Sequence, residues 1–247
     1  MVNDYIALDV ETTGLDPVRN RLLEIGAVKV QGGTVCGTYE TLVDAGVPVP
    51  ARIRELTGIT DEMRRTGKRT EEAIRGFLEF RGELPVVGHN VSFDYGFLKQ
   101  AAAEAGCVFE AGALDTLKIA RRVLPELPSR TLTAMCAYYG IDQGNAHRAL
   151  DDARSAHLLL LRLWEAFGQA DPGAFALCPL AYTAKKQSPI TNSQKGYLKD
   201  LLKYHKIELD IQIDGLTKSE ASRIIDGIIL QYGRIIRQEG RRKNEFL

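Results

Sequence analysis

Asp9-Val-Glu-Thr-Thr-Gly14 places two carboxylates two residues apart, directly after Tyr5-Ile-Ala-Leu, which reads as a buried strand. Residues two apart on a strand share a face, so Asp9 and Glu11 project together and repel. That pairing fits a solvated strand end, where repulsion costs little, or a bound cation. Gly88-His-Asn-Val-Ser-Phe-Asp94 supplies a third acid just after another strand, where loops that carry chemistry leave an open sheet. Its structural alternative is that Asn90 or Ser92 caps a helix while Asp94 favours the positive first turn. His89, without a spaced partner, reads as structural. The third segment is His147-Arg-Ala-Leu-Asp-Asp152. On a helix, Ala149, Ala153, Ala156, Leu160 and Leu163 centre about 50° from Asp152 and about 150° from Asp151. Asp152 therefore borders the buried face and Asp151 points to water. His147 lies too far along to align with Asp152 in one helix, which puts it in the preceding loop.

Asp9, Glu11, Asp94 and Asp152 thus fall at strand ends or helix starts. A carboxylate against a core face is costly unless paired, and oxygen ligands suit Mg²⁺ or Mn²⁺ better than zinc. Four negative charges offset two divalent cations, and two such ions stabilise both the attacking and the leaving oxygen in phosphodiester cleavage. A neutral imidazole at His147 suits the general base.

The elements around these segments follow from periodicity. Leu22 to Val30 and Thr34 to Leu42 form a hairpin turning at Gln31-Gly-Gly33. Helical spacing covers Glu71 to Phe80, a short strand Pro85 to Gly88 leads into a helix over Val91 to Ala105, and Leu114 to Thr116 reads as a last short strand. Leu132 to Tyr139 is a helix stopped by Gly140, and Ala149 to Phe167 a long amphipathic one. Early antiparallel strands followed by alternating strands and helices predict an α/β domain with a mixed sheet. From Gly168 to Pro189 glycine, alanine and proline dominate without a period, which predicts a linker. Two helices follow, Ser193 to His205 and Ser219 to Arg237, the second opened by the capping box Thr217-Lys-Ser-Glu220, with Ala221, Ile225, Ile228, Tyr232 and Ile235 on its buried face.

Thirty-two Lys and Arg against 32 Asp and Glu exclude a protein that holds nucleic acid or membrane by overall charge alone. The charge is nevertheless split: residues 1–182 hold 19 basic and 24 acidic side chains, residues 183–247 hold 13 and 8. Cys36, Cys107, Cys136 and Cys178 show no CxxC spacing, which argues against zinc knuckles and disulfides and for a reducing cytoplasm. Asp4 and Asp9 interrupt any signal peptide, and no run approaches a membrane span.

DVETTG, HNVSFD and HRALDD, in that order, resemble the three motifs of the DEDDh (DnaQ-like) 3′–5′ exonucleases, a family that includes the epsilon proofreading subunits of bacterial DNA polymerase III, ribonuclease T and oligoribonuclease. The resemblance covers roughly residues 4–167. It implies a ribonuclease H-like mixed sheet flanked by helices, and metal-dependent release of nucleoside 5′-monophosphates from single-stranded or frayed 3′ ends. Asp9, Glu11, Asp94 and Asp152 would hold two Mg²⁺ or Mn²⁺, and His147 would be the general base. Thr12, Thr13, Gly14 and Leu15 would lie beside the terminal nucleotide, with Phe93 shaping the pocket. Relatives often carry histidine where Thr57 stands, which leaves that contact open, and Asp115 reads as a structural cap. The organisation expected is an exonuclease domain over 1–168, a linker over 169–189 and a small basic helical module over 190–247 whose Lys and Arg follow a phosphate backbone. Expected partners are single-stranded DNA or RNA 3′ ends and a DNA polymerase or another replication or repair protein, in the cytoplasm and without a membrane. DNA is favoured as substrate; the alternatives are an RNA-trimming enzyme of the same family and a noncatalytic nucleic-acid- or polymerase-binding subunit.

Overall fold

Tyr5–Thr12 (β1) is buried along nearly its whole length because it is central to a sheet and covered on both faces. Ile6, Leu8 and Val10 point into one core; Tyr5 and Ala7 point into another. The computed structural model describes residues 2–186 and 188–235 and divides the chain into units spanning 1–186 and 187–247.

In the first unit β1 is followed by Leu22–Gln31 (β2) and Thr34–Asp44 (β3), the hairpin turning at Gly32 and Gly33, both with positive φ. Two short helices, Ala51–Thr57 (α1) and Asp61–Arg65 (α2), lead to the two-residue strand Lys68–Arg69 (β4) and then to Thr70–Arg81 (α3). Val86–Gly88 (β5), Ser92–Glu104 (α4), Gly112–Asp115 (β6) and Thr116–Val123 (α5) make two strand-to-helix steps. Leu132–Tyr139 (α6), with Gly140 left-handed at its end, and Ala149–Phe167 (α7) complete the helices of this unit. The sheet order is β4-β3-β2-β1-β5-β6 with Cys178–Pro179 (β7) at the far edge, parallel across β1/β5/β6 and antiparallel across β1/β2/β3. It is the mixed α/β sheet expected from the order of elements.

The glycine- and proline-rich stretch after α7 is folded as far as Lys186. Pro172–Phe175 forms a 3₁₀ turn, β7 pairs with β6, and Gln100 of α4 bonds Tyr182 and both backbone groups of Lys185. These bonds join residues distant in sequence, so no local period announces them.

α7 lies across β1 and β2 at unusually short range. A Cβ built on Gly26 would stand 2.2 Å from backbone atoms of Ala149 and Leu150. Further along, the Tyr5 hydroxyl meets Nδ1 of His157 at 2.8 Å, tying the middle of the helix to β1. Gly26→Ala is expected to cost about 1–3 kcal/mol, because backbone rather than a flexible side chain must give way. Chemical denaturation measures it, and a wild-type midpoint would mean that the first turn of α7 shifts freely.

In the second unit Asn192–His205 (α8) packs on Lys218–Tyr232 (α9) through Leu198, Leu201, Ala221, Ile225 and Ile228. Both helices open with capping boxes, Thr191 with Gln194 and Thr217 with Glu220. α9 ends at Tyr232, before Gly233 at φ +88°, so the helix expected to run to Arg237 stops short; residues 236–247 lie outside the described residues. Tyr232, placed on the buried face by periodicity, is 49% exposed at the helix end. Among the described residues no helix is long and apolar enough to cross a membrane.

Candidate active site

The alternation that sends Tyr5 and Ala7 under α7 continues to Asp9 and Glu11, so both acids emerge on the face of β1 that the helix covers. In the antiparallel register Asp9 stands opposite Gly26 and Glu11 opposite Glu24, and the ladder breaks between Glu11 and Thr12. Asp152 sits in the first turn of α7, buried, while its neighbour Asp151 is turned outward to Asn145 and Arg154. Asp94 arrives from the other side of the sheet at the start of α4; its Oδ1 accepts the Val10 N–H at 3.0 Å, anchoring it to β1 between Asp9 and Glu11.

His147 occupies the loop before α7 at φ +65°, a left-handed conformation that costs energy for any residue with a Cβ. The turn orients its N–H toward Asp152 Oδ2 at 3.1 Å, while Gln143 Nε2 donates to Asp152 Oδ1 at 2.7 Å. Ligand atoms of Glu11, His147 and Asp152 all fall within 4.8 Å of one another. The second left-handed non-glycine beside the site is Asn90 at φ +71°, whose N–H is taken by Asp115 Oδ1. Neither Asn90 nor Ser92 caps α4: Val91 holds the N-cap position with no side-chain bond, so the structural alternative for this segment does not hold in that form. Asp115 caps α5 through Leu117 and Lys118, and His89 is spent between Thr116 and the Arg130 carbonyl.

The loop after β1 is self-supporting. Thr12 Oγ1 donates to the Gly14 carbonyl, Thr13 Oγ1 accepts the Arg21 N–H, and Asn20 fills the space a Cβ on Gly14 would need. This leaves Leu15 85% exposed, an apolar side chain held out toward solvent. Phe93 is half-buried against Phe97 at a centroid distance of 5.0 Å. The Thr57 hydroxyl is engaged within α1, donating to Ile53 and accepting from Ile59.

Charge crowding marks the acids. Asp9 retains some solvent contact yet is surrounded by protein; burial, then Asp94, Asp152 and Glu11, hold its carboxyl well above the usual range. Glu11 is pushed up to about 8, by burial first and then by Asp152 and Glu24, with Arg148 partly offsetting. Asp94 is pushed up to about 7 by burial, despite the Val10 bond, and Asp152 is raised by burial against the pull of Gln143 and the His147 N–H. A crowded set of oxygen donors with one adjacent imidazole is a site that a divalent cation fits and a buried hydrophobic core does not.

A folded-state value above the ordinary one means stability present at low pH and lost as pH rises through it. In chelator the melting temperature is therefore expected to fall from about pH 4.5 to about 8, where Asp94 and Glu11 ionise. Mn²⁺ added at the upper end should restore it. A melting series that is flat or rises across that range would refute the repulsion argument.

A family model described as Exonuclease, RNase_T, matches residues 6–160. The chain belongs to this exonuclease family. It is 35% identical over 158 residues to a DNA polymerase III PolC-type of Clostridium perfringens, covering 64% of this chain and 11% of that protein. Against the PolC-type polymerase of Thermotoga maritima the identity is 39% over 162 residues, with 65% and 12% covered. The chain thus matches only about a ninth of the length of these polymerases. Among solved structures it is similar in fold to Exonuclease X in complex with 5′ overhanging duplex DNA, with a TM-score of 0.55, 24% identity, and 66% of this chain and 93% of that one covered. Similarity to E. coli Exonuclease I in complex with a dT13 oligonucleotide gives a TM-score of 0.59 at 18% identity, over 70% and 42% of the two chains.

Motif reading missed Gln143, Glu24 and Arg148, which touch or brace the site residues. For Glu24 a signal existed: an acid inside Leu22-Leu-Glu-Ile25, a strand otherwise buried, demands a partner.

Proposed function

We propose that the first unit is a 3′–5′ exonuclease that releases nucleoside 5′-monophosphates from single-stranded or frayed 3′ ends, with DNA preferred to RNA. The observation that carries this reading is the meeting of Asp9 and Glu11 from β1, Asp94 from α4 and Asp152 from α7 with His147 from the loop before α7 at one place. Asp9, Glu11, Asp94 and Asp152 would hold two Mg²⁺ or Mn²⁺, which when bound supply charge neutralisation at the attacking and leaving oxygens. His147, on its strained loop beside Asp152, takes the proton of the attacking water on a ring nitrogen. Leu15 offers an exposed apolar surface for the terminal base, supported by the Thr12–Gly14 turn, and Phe93 would help to shape the pocket. Relatives named as PolC-type DNA polymerases support a replication or repair polymerase as a partner.

End-labelled single-stranded DNA, frayed duplex DNA and RNA, digested with Mg²⁺ or Mn²⁺ and with chelator, test the reading. Nucleoside 5′-monophosphates shed from the 3′ end, fastest from DNA and only with metal, are expected. Products bearing 3′-phosphates, release from the 5′ end, or digestion that survives chelator would overturn it.

The second unit, with the basic excess in its sequence, is proposed to follow the phosphate backbone of the bound strand. Deleting residues 187–247 is expected to weaken single-strand binding and to flatten its dependence on log salt by about 0.7 for each phosphate that is no longer neutralised. Single-turnover cleavage of bound ends should persist. Fluorescence anisotropy at several salt concentrations measures it, and equal affinity and slope would exclude this role.

A further inference from the structure

Glu24 stands between Leu23 and Ile25, both fully buried, and its own side chain is 1% exposed. Both carboxylate oxygens are used. Oε1 accepts from Arg148 Nη2 at 2.6 Å and Nε at 3.2 Å; Oε2 accepts from Arg148 Nε at 3.2 Å and from the backbone N–H of Ala149 at 2.9 Å. Arg148 is the N-cap residue of α7 and makes no side-chain cap bond of its own. A carboxylate from another strand therefore satisfies the first amide of the helix, where the helix dipole also favours a negative charge. Two residues along β2, Gly26 lets the Ala149–Leu150 backbone lie directly on the sheet.

β2 thus grips the start of α7 at two points, and these points face the site. Glu24 is paired in register with Glu11, and Gly26 with Asp9. The gripped residues Arg148 and Ala149 follow His147 and precede Asp152 by one turn. A buried ion pair is a weak way to stabilise a fold, since apolar residues of like volume do so without desolvating charge. Here it also carries a local penalty, because the Glu24 charge adds to the repulsion on Asp9 and Glu11. What the pair supplies that apolar packing does not is directional: a forked, charge-assisted clamp that sets depth and rotation of the first helical turn.

We infer that Glu24 and Arg148 are positioning residues, whose buried pair docks the first turn of α7 so that His147 and Asp152 meet Asp9 and Glu11 without itself touching cation or substrate. This rests on the exonuclease reading above.

The experiment uses the whole 247-residue chain and two readouts: Mn²⁺ binding by titration calorimetry, and kcat and KM on single-stranded DNA. The double variant Glu24→Leu with Arg148→Met removes the pair and leaves no buried charge unpaired. It is expected to stay folded, to bind Mn²⁺ 10–100-fold more weakly and to lose kcat by a similar factor, the range typical when a partner that orients metal ligands is lost. KM should stay within about twofold, since no substrate contact is removed. Arg148→Lys keeps the charge but not the fork and is expected to show the same pattern more mildly, while Glu24→Gln, which keeps one acceptor oxygen but loses the charge and turns an amide NH2 toward the guanidinium, is expected to fall between it and the double variant. Wild-type Mn²⁺ affinity and kcat in the double variant, whatever its melting temperature, overturn the inference while leaving the exonuclease reading intact. If the double variant melts below the assay temperature, wild-type values in Arg148→Lys overturn it equally. A wild-type protein that neither binds Mn²⁺ nor cleaves overturns the exonuclease reading, and this inference with it.

Discussion

Asp9→Asn is expected to slow phosphodiester cleavage by at least about 10³-fold, more than the 10–100-fold typical for a residue that only orients a metal ligand, and at the same time to raise the melting temperature of the metal-free protein. Both effects come from one feature. Asp9 lies where burial and the charges of Asp94, Asp152 and Glu11 together oppose its ionisation, so its negative charge is a liability to the fold and is useful only in the presence of a counter-charge. Asparagine keeps the shape and removes the charge. Each ~1 kcal/mol of relieved repulsion reads as about 2–4 °C in a chain of this size. Single-turnover digestion and melting in chelator measure the two effects on the same preparation. Undiminished cleavage would remove Asp9 from the proposed metal site; a lowered melting temperature would mean that the carboxylate is stabilised by neighbours after all. The opposite signs separate this from ordinary damage, which lowers activity and stability together.

His147→Ala is expected to slow the chemical step by about 10²–10⁴-fold while strand binding is retained. The residue sits at φ +65° and its backbone N–H serves Asp152, so two effects must be separated: loss of the imidazole and a change in the strained loop. His147→Gly does this, because glycine accepts the left-handed conformation without strain and keeps the N–H. If the imidazole moves the proton, both variants are equally slow, and imidazole added to the buffer restores part of the rate to the glycine variant. Should His147→Gly cleave at the wild-type rate, histidine would be a loop former and the base would lie elsewhere. Single-turnover kinetics with excess protein keeps product release out of the comparison.

Local order made much of this protein readable. The 3.6-residue period marks Ala149–Phe167 to its ends, Gly140 stops Leu132–Tyr139, and two glycines turn the first hairpin, because each of these depends on neighbours within one turn of chain. The same period separated Asp152 from Asp151, and the two-residue alternation of a strand sent Asp9 and Glu11 to one face. It failed where the partner is remote or the element too short to show a period. β4 and β7 are two residues each and exist only through the strand beside them, and α5 has only eight residues, although the Asp115 cap that opens it is legible. Tyr232 fits the apolar stripe of α9 but is its last residue, half-exposed beside the His205 ring.

The candidate site divides the same way. Residue types, order and spacing were enough to name its acids and its histidine, since chemistry of this kind needs like-charged oxygens in numbers that a solvated surface does not. Only the folded chain decides how they meet: the Val10 amide that holds Asp94 to β1, the left-handed turn that aims the His147 amide at Asp152, and the Glu24 carboxylate that reaches across 124 positions to seat Arg148. Those bonds are directional and join distant segments, so their energy belongs to packing and leaves no trace in a window of sequence.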